Sequence, residues 1–77
     1  QLLINVKGVA KDKLDSNQKI KERVSDAAQK LGSSGRVLLR ASGTEPLVRV
    51  MVEAEDAQIA QEIADSLAAI VKSELSL

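Results

Sequence analysis

Two arginines, Arg40 and Arg49, enclose the run Ala41-Ser42-Gly43-Thr44-Glu45-Pro46-Leu47-Val48. These residue types suit the capture of a small oxyanion. Guanidinium forks match the geometry of phosphate oxygens. The hydroxyls of Ser42 and Thr44 can donate to the same oxygens. Gly43 is expected to take positive φ and turn backbone N–H groups inward as an anion nest. Pro46 stiffens the far side of the loop, which lowers the entropy lost on ordering it.

Whether the two arginines converge depends on the elements beside them. Residues 36–41 and 47–54 alternate apolar with polar, so both read as strands, and the short loop makes them an antiparallel hairpin. One register pairs Val37 with Val52, Leu39 with Val50 and Ala41 with Val48, placing all six on a single face. A slip of one residue scrambles that set. The same register puts Arg36 opposite Glu53, Leu38 opposite Met51 and Arg40 opposite Arg49. Like charges directly opposite destabilise a strand pair, and an anion between them removes the conflict. Two other readings stay open on the residues alone. The arginines are plain exposed strand residues neutralised by Glu45 or Glu53, or Ser42 and Glu45 form a capping box that starts a helix. The helix conflicts with Pro46 and with the alternating Val48, Val50 and Val52. Glu45 is expected outside the site or bonded to Arg49, with no catalytic role.

Elsewhere Leu2, Ile4 and Val6 mark one face of a first strand, and residues 7–14 read as an irregular continuation. Asp15 or Ser16 is placed to cap a helix with its stripe at Ile20, Val24, Ala27, Ala28 and Leu31. Gly32 follows where a left-handed C-cap is wanted. Asp56 is placed to cap a second helix, with Ile59, Ile63, Leu67, Ile70 and Val71 inward and Ala60, Ala64 and Ala68 allowing close approach. The order β-α-β-β-α implies a two-layer α+β domain over residues 1–77, with both helices on one face of a small, mainly antiparallel sheet. The other face needs a further partner.

Composition narrows the function classes. Eleven basic residues balance eleven acidic ones, and there is no aromatic residue, His or Cys. A general nucleic-acid binder needs net positive charge or stacking platforms, so that class is set aside. Disulfides and the usual zinc site are excluded. No apolar run nears the roughly 18–20 residues of a membrane span, so a cytoplasmic location is the default. Charge is uneven: residues 1–40 carry nine basic and four acidic groups, and residues 41–77 carry two and seven. Differently solvated helix faces explain this, as does a face docked on a neighbouring domain. The first residue is Gln1, already in an apolar run, which fits a segment of a longer protein.

The run Arg40-Ala41-Ser42-Gly43-Thr44-Glu45-Pro46, continued by Arg49-Val50-Met51-Val52-Glu53, resembles the phosphate-binding loop in the C-terminal domain of the α-D-phosphohexomutase superfamily. Gly43 in place of Asn makes it most similar to the phosphoglucosamine mutase branch. The resemblance implies the fourth domain of a four-domain isomerase, similar to the TATA-binding-protein fold. It also implies an activity that interconverts glucosamine 6-phosphate and glucosamine 1-phosphate through a bisphosphate, for bacterial cell-wall precursors. Arg40, Ser42, Gly43 and Thr44 would contact the substrate phosphate that is not being transferred, with Arg49 added by the hairpin register. The active-site phosphoserine, the Mg2+ loop and the sugar-reading loop would lie in the other domains, and a sugar bisphosphate activator is implied for the whole enzyme. This chain alone would be inert, with no catalytic or metal-binding residue. The alternatives are the same domain from a phosphomannomutase/phosphoglucomutase, or an autonomous protein-interaction module using the sheet face around Leu38 and Met51.

Overall fold

The computed structural model describes residues 1–77. Three strands, β1 (Leu2–Lys7), β2 (Arg36–Ala41) and β3 (Leu47–Glu53), and two helices, α1 (Gln18–Leu31) and α2 (Ala57–Leu75), follow in the expected order. The sheet runs β1-β3-β2 and is antiparallel throughout. The β2–β3 register is the one the apolar pattern requires, with Val37, Leu39 and Ala41 opposite Val52, Val50 and Val48. β1 pairs on the other side of β3, Leu2 with Val52 and Val6 with Val48.

Both helices pack on one face, α2 over β1 and β3, and α1 over β2 and against α2. The centre of the core is Val48, Val50 and Val52, all fully buried, beneath Ile20, Ala64, Leu67 and Val71. β3 is the middle strand, so its inward valines are covered from both sides. Val37 and Leu39 on edge strand β2 are only partly buried, and Ala41 at its end is exposed. The helical stripes also differ in part from expectation. Ala28 is exposed, and Ile59, in the first turn of α2, is 37% exposed. The buried line of α2 runs instead through Ala60, Ile63, Ala64, Leu67, Val71 and Leu75.

Helix caps and connections carry further corrections. Asp56 caps α2, accepting from the amides of Gln58 and Ile59 at 2.8 and 3.2 Å. α1 is capped by Asn17 rather than Asp15 or Ser16, through Oδ1 accepting from Ile20 N–H at 3.0 Å. The helix starts later because Lys11–Lys13 form a 3-10 turn that first buries Leu14. Gly32 has φ +56° as a C-cap needs, but ψ −135° lies outside the left-handed helical region. Residues 8–10 are ordered by the C-terminus. Gly8 turns the chain with φ +71°, and the fully buried Val9 bridges to Ser76. No helix is long and apolar enough to cross a membrane.

The uncovered sheet face carries three cross-strand rows. Arg36 is ion-paired with Glu53 at 3.0 Å. Leu38, Met51 and Leu3 form an apolar row in which Met51 is 8% exposed, while Leu38 and Leu3 are 45% and 55% exposed. Nearest the hairpin loop lie Arg40, Arg49 and Asn5.

Candidate functional site

The hairpin loop closes through short local hydrogen bonds. Ser42 N–H donates to the Leu47 carbonyl at 3.0 Å, just past the end of β2 and at the start of β3. Leu47 N–H donates to the Glu45 carbonyl at 2.8 Å, a three-residue turn centred on Pro46. That turn favours a central φ near −75°, which proline supplies. Ser42 Oγ accepts from the amides of Thr44 and Glu45, both at 3.3 Å. Serine hydroxyls stabilise turns in this way by standing in for a backbone carbonyl.

This chemistry closes the turn without left-handed backbone. Gly8 and Gly32 are the glycines with positive φ, so Gly43 does not take the positive φ expected of it. The inward nest is correspondingly smaller, because the Thr44 and Glu45 amides turn to Ser42 Oγ. The Gly43 N–H donates to no group in the chain. The Ser42 hydroxyl uses its oxygen to accept and keeps its own O–H to donate.

Arg40 and Arg49 are both exposed and stand directly opposite each other. Neither forms an ion pair: Glu53 is taken by Arg36, and Glu45 bridges to no cation. Neutralisation of the arginines by Glu45 or Glu53 is therefore not what the structure shows. Arg49 Nε donates to Asn5 Oδ1 at 3.2 Å, which fixes the fork from the β1 side and leaves its terminal nitrogens free.

An open depression of about 310 Å³ is lined by Arg40, Ala41, Ser42, Gly43, Leu47 and Arg49. Four of the five expected binding residues, Arg40, Ser42, Gly43 and Arg49, thus share one concavity. Thr44 is outside it, exposed at the loop tip. The lining offers guanidinium forks, one hydroxyl and one free amide, with no carboxylate. Such a set has the donor chemistry that suits an oxyanion.

Residues 3–70 match the family model for the phosphoglucomutase/phosphomannomutase C-terminal domain. The chain belongs to that family. This phosphohexomutase domain is 54% identical over 77 residues to a phosphoglucosamine mutase of Thermobifida fusca, covering all of this chain and 17% of that protein. It is 53% identical over 75 residues to a phosphoglucosamine mutase of Streptomyces coelicolor, covering 97% of this chain and 17% of the relative. A solved structure of Aspergillus fumigatus N-acetylphosphoglucosamine mutase superposes with a TM-score of 0.81 at 26% identity, over 99% of this chain and 16% of that one. The domain therefore spans about a sixth of the length of the curated relatives it matches.

Two residues of the site escape a reading of the sequence. Asn5 looks like an ordinary polar interruption of β1, and its bond to Arg49 needs the β1–β3 register. Lys11 donates from Nζ to the Ser42 carbonyl, across a sequence separation that no local pattern encodes.

Proposed function

We propose that this chain is the substrate-phosphate-binding fourth domain of a phosphoglucosamine mutase. The whole enzyme would interconvert glucosamine 6-phosphate and glucosamine 1-phosphate through a bisphosphate intermediate. The observation that carries this is the Arg40–Arg49 pair: two opposed guanidinium groups without carboxylate partners, beside a free hydroxyl and a free amide. Arg40, Ser42, Gly43 and Arg49 bind the phosphate that is not being transferred, and Thr44 joins them when the loop tip folds onto the ligand. Holding a non-reacting phosphate orients the sugar and places its other end at the catalytic serine of another domain. A mutase must accept its sugar in two orientations, so the grip is shaped to the phosphate rather than to the ring.

The other partners follow from this reading. The remaining domains of the parent supply the phosphoserine, the Mg2+ ligands and the sugar contacts, and a sugar bisphosphate serves as activator. In this reading the domain's part is to hold and orient the substrate, and the Mg2+ chemistry is supplied by the other domains. The exposed Leu3 and Leu38 beside the arginines give the uncovered face a surface for those domains to meet. A cytoplasmic location for the whole enzyme is part of the same reading. The isolated chain has no catalytic activity.

Charge-assisted hydrogen bonds contribute roughly 1.5–3 kcal/mol each, against an association cost of at least about 4 kcal/mol. The isolated domain should therefore hold inorganic phosphate on the order of millimolar. In an NMR titration the Ser42, Gly43 and Thr44 amides should shift first, and Arg40→Ala should abolish those shifts with the fold intact. Shifts scattered over the surface would overturn the assignment. Interconversion of glucosamine phosphates by the chain alone would overturn its inertness.

A further inference from the structure

The connection from β1 to α1 touches the hairpin loop at both ends. At the loop's exit the Pro46 carbonyl accepts from the amides of Gly8 and Val9, at 2.9 and 3.1 Å. At its entry the Ser42 carbonyl accepts from Lys11 Nζ. The connection is itself anchored: Ala10 N–H donates to the Leu75 carbonyl at 2.7 Å, and Leu77 N–H to the Gly8 carbonyl at 3.0 Å. Lys11 thus projects from a fixed backbone, with its side chain half-buried on the way to the loop.

The Ser42 carbonyl belongs to the same peptide unit as the Gly43 N–H. That unit is planar and trans, so its C=O and N–H point in opposite directions. Gly43 gives it rotational freedom, because a residue without Cβ tolerates either orientation of the peptide plane. A donor holding the carbonyl on one side therefore aims the amide at the other. Gly43 N–H is the loop amide left without a partner, and Gly43 lines the depression between Arg40 and Arg49. A cationic donor on a carbonyl also polarises the peptide and makes its N–H a stronger donor.

We propose that Lys11 is a positioning residue: its ammonium locks the Ser42–Gly43 peptide plane so that the Gly43 N–H is presented to an oxyanion in the Arg40–Arg49 depression. The proposal deepens the phosphate reading above and rests on it. Lys11 touches no substrate in this role. It works through the peptide, and it places a third positive charge behind the loop.

The test is an inorganic phosphate titration of the 15N-labelled 77-residue chain at constant ionic strength, comparing the wild type with Lys11→Met and Lys11→Arg. Lys11→Met should lose most of the phosphate-induced shift at the Gly43 amide and bind about tenfold more weakly, while its circular dichroism spectrum stays that of the wild type. Lys11→Arg, which restores a charged donor, should recover both. A wild-type Gly43 response and affinity in Lys11→Met would overturn the proposal. A separate measurement on the wild type guards against a variant that fails to fold. The side-chain order parameter at Lys11 Cε should exceed that at the exposed Lys13, and equal mobility would overturn the lock. If the wild type shows no response to phosphate at all, the phosphate reading falls, and the Lys11 order parameter still decides whether the peptide is held.

Discussion

Arg40 and Arg49 face each other across β2 and β3, and no carboxylate relieves them. Directly opposed pairs in a sheet matter at the level of about 0.2–1 kcal/mol, so the empty pair costs the fold a little stability. Removing one charge should therefore help folding and harm binding. Arg40→Gln is expected to raise the melting temperature by a few degrees in dilute sodium chloride, corresponding to roughly 0.5 kcal/mol. In phosphate at the same ionic strength the wild type should gain stability through ligand binding, and the variant should not. Thermal melts in matched chloride and phosphate buffers check this, and an equal response of both proteins to phosphate would contradict it.

Gly35 and Gly43 look alike in sequence, each in a polar turn, and the fold treats them oppositely. A Cβ on Gly35 would lie 2.1 Å from the backbone oxygen of Glu53, so the edge of the sheet would have to open. Around Gly43 no atom beyond its chain neighbours lies within 4 Å of such a Cβ, and φ is not positive. Gly35→Ala should thus destabilise by about 1–3 kcal/mol, the usual cost of overpacking. Gly43→Ala should leave stability unchanged or raise it by about 0.4–1 kcal/mol through the unfolded chain. Because Gly43 lines the depression, its new methyl group should nevertheless weaken phosphate binding severalfold. Urea melts and phosphate titrations of the two variants separate these effects, and a destabilised Gly43→Ala would mean the loop itself requires glycine.

The hairpin was legible because period-two alternation in residues 36–41 and 47–54 leaves one register that buries Val48, Val50 and Val52 together, although β3 itself stops at Glu53. The position of both arginines follows from that register alone. The loop's internal geometry was not legible. Whether Gly43 or Pro46 carries the turn depends on competing hydrogen bonds, and the Ser42 hydroxyl and the Pro46-centred turn prevail without positive φ. The pairing of residues 8–10 with 75–77 was equally hidden. It joins segments from opposite ends of the chain whose only common signal is a pair of apolar residues, Val9 and Leu75, both buried. The same long-range contact places Lys11 beneath the loop, which explains why a site residue there carries no local signature.

The pH dependence of binding should come from the ligand. The chain contains no His, the side chain whose ordinary titration falls between about pH 5 and 8. A phosphate monoester loses its second proton at about pH 6. Two arginines attract the dianion more strongly than the monoanion, so affinity should fall as pH drops through that value. If the dianion is the form that binds, one pH unit below it the apparent Kd should be about tenfold weaker. Titrating glucosamine 6-phosphate against the labelled chain at about pH 7.5 and about pH 5 measures this, one value on each side of that ionisation. Equal affinities at both would mean that the site grips the monoanion as well and that charge pairing is not its main attraction.

The start of α1 offers a test of the fold independent of any ligand. Asn17 has two tasks: Oδ1 accepts from Ile20 N–H at 3.0 Å, and Nδ2 donates to Glu74 Oε1 at 3.2 Å near the end of α2. The first satisfies a helix amide that has no intrahelical partner. The second ties the start of α1 to the last turn of α2, next to the residues that anchor positions 8–10. Asn17→Ala should cost about 1 kcal/mol from the cap alone, a drop in melting temperature of about 4–8 °C for a domain of this size. Asn17→Asp keeps the capping oxygen but loses the donor and sets a second carboxylate beside Glu74, so it should recover only part of the loss. Asp15→Ala, at the position that reads as a cap in the sequence, should change stability by less than about 0.5 kcal/mol. Thermal melts of the three variants decide it: a larger loss from Asp15→Ala than from Asn17→Ala would place the helix start two residues earlier than the structure has it.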